Sequence, residues 1–125
     1  MRLTLLSDTF AVCRLSPEQD VPQWAWRNRA TLLSVTYTAD ELSIVCLQSL
    51  PPSGVQYEGS WKAIRIQGQL DFSLSGIRVA LAAPLAAARI PIFALSTFDT
   101  DYILIKEEYS ERARSVLEEN GHIFV

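Results

Sequence analysis

IPIFALSTFDTDYILIK, from Ile90 to Lys106, consists of two apolar runs folded about a short polar interruption. Ile92, Phe93, Ala94 and Leu95 make one run, and Tyr102, Ile103, Leu104 and Ile105 make the other. Ser96, Thr97, Asp99, Thr100 and Asp101 lie between them, with Phe98 as the one apolar residue of the interruption. β-Branched and aromatic residues bounded by turn formers predict a hairpin. Because neither run alternates cleanly, both strands are expected to be buried on both faces at the middle of a sheet. Two carboxylates and two threonine hydroxyls then stand at one lip of that sheet, and the lip is where function is sought.

The flanking segments supply the rest of a domain. Trp61 to Gln67 reads as a strand, with Ile64 and Ile66 on one face and Ala63 and Arg65 on the other. The polar stretch Gly68 to Ser75 leads into a helix whose Leu74, Ile77, Leu81, Leu85 and Ala88 recur at helical spacing. Asp71 or Ser73 is a candidate cap for its first turn. Pro84 lies inside this helix, where it should remove one hydrogen bond and kink the axis. After the hairpin, Ser110 is expected to cap a second helix with Ala113, Val116 and Leu117 as its buried stripe, ended by Asn120 and Gly121. His122 to Val125 forms a last strand. The order from Trp61 onward is strand, helix, strand, strand, helix, strand. That is the ferredoxin-like α+β plan, a four-stranded antiparallel sheet backed by two helices.

Toward the N-terminus the same logic recurs in shortened form. Met1 to Leu15 holds two apolar runs about Ser7, Asp8 and Thr9. Ser16, Pro17 and Glu18 have the form of a helix start, with Pro22 limiting that helix to about one turn. Trp24 and Trp26 are read as sealing a core edge. Thr31 to Gln48 predicts a hairpin about Ala39 and Asp40, and Leu50 to Ser60, rich in proline, glycine and serine, is the candidate linker. The chain is thus divided into an abbreviated unit at 1–57 and a complete one at 58–125.

Composition narrows the function. A net charge of −3 in 125 residues, with Arg27 and Arg29 as the densest basic pair, argues against nucleic-acid or anionic-membrane partners, which require clustered cations. No long uncharged apolar run or leader-like start is present, so a cytoplasmic protein is expected. Cys13 and Cys46 sit in separate apolar segments and read as buried and reduced. A single histidine, His122, leaves a transition metal without a ligand set and a nucleophile without a base. The glycines fit neither a dinucleotide fingerprint nor a P-loop. No catalytic residue, metal or cofactor is assigned.

What remains is a binding constellation. The segment from Gly68 to Gly76 brings a polar loop to a helix N-terminus, where free amides favour an anion such as a carboxylate. Asp99 and Asp101 at the hairpin lip favour an amine or guanidinium. Together they suggest a free amino acid, while the pattern alone equally allows ordinary turn residues and a helix cap.

The segments LDFSLSGI (70–77), LAAPLAAARI (81–90), IFALSTFDTDYILIKEE (92–108) and DELSIVC (40–46) resemble the small ACT-domain proteins related to the CASTOR-type amino-acid sensors. In that family two ACT units, one often abbreviated, stand in tandem, and a ligand binds where ACT units face each other. One eukaryotic branch senses arginine. The resemblance implies ligand contacts from Thr97, Phe98 and Asp101, with Asp101 meeting a cationic group, and backbone contacts around Ser73, Leu74 and Gly76, with Asp71 as the acidic residue of the loop. In this chain Asp71 and Gly76 are five apart with no proline between them, unlike the general ACT loop signature. The expected protein is a non-catalytic regulator that binds an amino acid between ACT units, with a homodimer supplying the second complete unit and a regulated protein as a possible partner. The alternative is a protein-interaction module without a small-molecule ligand.

Overall fold

The computed structural model describes residues 1–27, 32–67 and 74–125. In chain order they form β1 (Arg2–Leu5), β2 (Phe10–Leu15), a single-turn helix α1 (Gln23–Trp26), β3 (Ser34–Tyr37), β4 (Leu42–Leu47) and β5 (Gln56–Ile66). The chain continues through α2 (Leu74–Ala87), β6 (Ile92–Ser96), β7 (Asp101–Lys106), α3 (Ser110–Glu119) and β8 (Ile123–Phe124). These elements form two compact units, Asp8–Trp61 and a second made of Met1–Ser7 with Lys62–Val125. β1 pairs within the second unit. Leu3, Thr4 and Leu5 lie antiparallel to Ile66, Arg65 and Ile64. Arg2 and Leu3 lie parallel to Ile123 and Phe124.

In the first unit the strands run in the order β3, β4, β2 and residues 56–61 of β5. Alternation along β2 and β4 turns Ala11, Cys13, Leu15, Leu42, Ile44 and Cys46 inward, where they pack with Ala25 of α1. Trp24 leans on this core as expected, but Trp26 is 44 % exposed. No helix starts at Ser16. Its hydroxyl accepts the Glu18 amide in a local turn, and the one helical turn begins only after Pro22. The two cysteines, far apart in sequence, meet on neighbouring strands with their sulfurs 4.0 Å apart, both free and buried. The hydrogen bond with the Cys13 sulfur, and then burial, push the Cys46 thiol up, so it keeps its proton.

The segment expected as a linker is partly strand. β5 starts at Gln56, and it carries a bulge: Phe10 faces Trp61 while Val12 faces Glu58, leaving one extra residue on β5. Ser60 there adopts φ +63°, and its amide is received by the Gln48 side chain.

The second unit has the expected helix and strand order plus one strand. Its sheet runs β6, β7, β5, β1, β8, so β1 separates the strands that a four-stranded plan places side by side. The helices cover one face: Leu81 and Leu85 of α2 and Ala113 and Leu117 of α3 pack with Leu3, Ile64, Ile66, Ile103 and Ile105. β7 is buried as expected. β6 pairs only with β7 among the described residues and is half-exposed, because it forms the sheet's edge.

α2 runs through Pro84 to Ala87. Its C-terminus closes with the Ile90 amide on the Leu85 carbonyl and the Arg89 amide on that of Ala86, with Arg89 at φ +60°. α3 closes in the same way through His122 and Gly121, the glycine at φ +89°. Ser110 is the first residue of α3 rather than its cap. The residue before it is Tyr109, at the end of a 3-10 turn at Glu107–Tyr109, and no side chain caps this helix.

Candidate functional site

The β6–β7 hairpin pairs Leu95 with Tyr102 and Ser96 with Asp101, leaving Thr97–Thr100 as the turn. Thr97 closes it. Its amide donates to the Thr100 carbonyl at 2.8 Å, and its hydroxyl donates to the same carbonyl at 3.2 Å and accepts the Thr100 amide at 3.3 Å. The Thr100 hydroxyl donates to the Ile66 carbonyl at 2.5 Å. The lip is therefore tied to the last residue of β5, from which the chain runs on to α2. Phe98, at the tip, is fully exposed.

Asp101 is different from its neighbours. Alternation puts it on the same face as Ile103 and Ile105, the face that α2 and α3 cover, and only 2 % of its surface is exposed. The Ser96 hydroxyl, one of its partners, donates to Oδ1 at 2.5 Å. A carboxylate taken out of water loses several kcal/mol of hydration, of the order that only charged or multiple hydrogen-bonding partners offset.

The first unit carries a matching hairpin. Thr38 opens its turn as Thr97 does, with its amide donating to the Glu41 carbonyl at 2.9 Å and its hydroxyl accepting the Glu41 amide at 3.1 Å. Tyr37 then pairs with Leu42, just as Ser96 pairs with Asp101. Leu42, Ile44 and Cys46 face the first core as Asp101, Ile103 and Ile105 face the second. At one position of a shared design, one unit buries a leucine and the other a carboxylate.

The hairpin thus brings together Thr97, Phe98 and Asp101, in three distinct situations: a hydroxyl engaged in its own turn, a ring in solvent, and a buried acid. Leu74 and Gly76 belong to the first turn of α2. Asp71 and Ser73 lie outside the described residues. The sequence places the Thr100 hydroxyl at the lip without a contact of its own, and gives Ser96 no role. Their signal was the register itself, since a turn at Thr97–Thr100 obliges Ser96 to face Asp101.

Among the described residues, no three His, Cys, Asp or Glu side chains are grouped as a metal ion requires. No helix there is long and apolar enough to cross a membrane. His122 is buried, with Nε2 3.1 Å from the Ala80 carbonyl and Nδ1 3.2 Å from the Met1 amine. Burial, and the like charge of that amine, hold its pKa below the ordinary imidazole value against the raising effect of the Ala80 bond.

Comparison with known proteins agrees with this architecture. The ACT-domain family model matches residues 56–119, and a model of an N-terminal domain matches 8–53. The crystal structure of protein Atu0741 from Agobacterium tumefaciens is 34 % identical, covers 99 % of this chain and 91 % of its own, and superposes with a TM-score of 0.93. The regulatory subunit of aspartate kinase from Thermus flavus shares the fold at 12 % identity, with a TM-score of 0.64 over 94 % of this chain and 95 % of that one. A stretch of 49 residues, 38 % of this chain, is 45 % identical to the human cytosolic arginine sensor for mTORC1 subunit 1, of which it spans 15 %. The chain belongs to the ACT-domain family and is related to the CASTOR-type sensors.

Proposed function

We propose that this protein is a non-catalytic regulator that binds a free amino acid at an interface between ACT units, two copies of the chain supplying the facing units. The observation that carries this reading is Asp101. A sheet position that the companion hairpin fills with Leu42 holds an acid instead, so packing alone does not call for it. A recognition role for the carboxylate accounts for the exchange, and a cationic ligand group is its natural counterpart. Phe98, apolar and fully exposed, suits a surface that a second copy covers. Thr97, Asp71, Ser73, Leu74 and Gly76 complete the proposed contact set, Leu74 and Gly76 through the backbone of the first turn of α2. One relative is named a regulatory subunit of aspartate kinase and another an arginine sensor, which supports regulation over turnover.

Isothermal titration of the full chain against each protein amino acid tests the reading, alongside sedimentation to follow the dimer. Saturable binding that Asp101→Ala abolishes is expected. An intact dimer that binds none of them defeats it. It would favour the second reading, an interaction module, for which the exposed tip offers a contact and Asp101→Ala leaves partner binding unchanged.

A further inference from the structure

The first unit has a second sheet face besides its core: Phe10 and Val45 are buried on it, while Arg14, Gln56 and Glu58 are exposed. Alternation that turns Cys13 and Ile44 inward sets Val12 and Arg14 of β2, Ser43 of β4, and Gln56 and Glu58 of β5 on the opposite face. Arg14 stands in the middle strand, opposite Ser43 on one side and Gln56 on the other. These residues, with Glu41 and with Cys13 and Tyr57 between them in the strands, line a cavity of about 250 Å³.

Its chemistry is mixed by design of the strand register: one guanidinium at the centre, two carboxylates at the margins and neutral hydrogen-bonding groups between. Arg14 donates to the Asp40 carbonyl at 3.4 Å, a long bond that leaves most of its five N–H groups for other acceptors. A pure anion meets Arg14 but is repelled by Glu41 and Glu58. A pure cation meets the glutamates but is repelled by Arg14. A molecule carrying both charges a few atoms apart satisfies both sets.

We propose that this cavity is a second small-molecule site, taking a small zwitterionic α-amino acid whose carboxylate pairs with Arg14 and whose ammonium group pairs with Glu41. Ser43 and Gln56, on either side of Arg14, supply neutral hydrogen bonds to the same carboxylate. The site lies within residues 8–61, uses none of the residues proposed above, and stands or falls independently of Asp101.

The test is a nuclear magnetic resonance titration of the ¹⁵N-labelled full chain with glycine and with L-alanine, using acetate and methylammonium as single-charge controls. Saturable shifts of the Ser43, Gln56 and Glu58 amides are expected with either amino acid, and weaker ones with each control. Arg14→Ala, an exposed substitution, should weaken binding by about tenfold or more, with Arg14→Lys between it and the parent. Asp101→Ala should leave these shifts in place. The proposal is overturned if neither amino acid moves these amides, if acetate alone moves them as strongly, or if Arg14→Ala leaves the titration unchanged.

Discussion

His122 completes the helix that Pro84 interrupts. Pro84 has no amide to offer the carbonyl of Ala80, four residues back, and the His122 ring stands 3.1 Å from that oxygen, its Nε2–H donating to it. The helix therefore continues through Pro84 with its orphaned acceptor satisfied from another element. A double-mutant cycle measures this coupling. His122→Ala should cost about 1–3 kcal/mol in the parent. In a Pro84→Ala background, where the alanine restores a backbone amide that serves the Ala80 carbonyl again, the same change should cost about 1 kcal/mol less. Urea denaturation of the four proteins gives the coupling, and equal costs in both backgrounds would contradict it.

The same ring gives the fold a pH dependence. Burial holds the folded pKa of His122 below the ordinary imidazole value, so the unfolded chain binds the extra proton first as pH falls. Stability from the neutral ring is fully present above about pH 6.5 and declines below it, levelling off once the folded ring is protonated. Denaturation midpoints across about pH 5 to 8 should fall toward acid in the parent. They should fall less in His122→Asn, and a parent midpoint that rises toward acid refutes the sign.

Asp101→Leu separates fold from function. Because Leu42 fills the matching position of the other hairpin, the substituted protein should unfold at or above the parent midpoint while losing amino-acid binding. A loss of more than about 2 kcal/mol would instead make Asp101 a structural residue.

Arg89 occupies a left-handed conformation at the end of α2, φ +60°, where α3 uses Gly121. A side chain there costs about 1 kcal/mol. Arg89→Gly should raise the unfolding free energy by about that amount, seen as a higher denaturation midpoint with an unchanged slope, and an unchanged or lowered midpoint counts against the strain.

Much of this was legible in the sequence, for reasons that differ by residue. The hairpins at Thr38–Glu41 and Thr97–Thr100 announced themselves through local chemistry, as did the glycine end of α3. Helical spacing located α2 and its Leu81 and Leu85. The place of β1 was not legible, because its partners Ile64 and Ile123 lie far along the chain and no local pattern names them. The meeting of Cys13 with Cys46 is hidden for the same reason. Ser110 looked like a cap because local reading did not foresee the 3-10 turn ahead of it. Asp101 was visible as an acid at a lip, but its burial depends on face parity, which only the register with Ser96 fixes.

The first unit is an insertion in the second rather than its predecessor. The chain leaves the ACT sheet at Ser7 and rejoins it at Lys62, where the Leu6 amide meets the Ala63 carbonyl at 2.9 Å and Lys62 Nζ the Ser7 carbonyl at 2.7 Å. Joining Ser7 to Lys62 through a short Asn-Gly hairpin turn would excise the insertion and keep the pairing of β1 with Ile64–Ile66 and with β8. A fragment cut at 58 would instead lack β1 and strip β8 of its neighbour. The folding module of this ACT protein is discontinuous in its gene, and its first strand is translated well before the sheet that receives it.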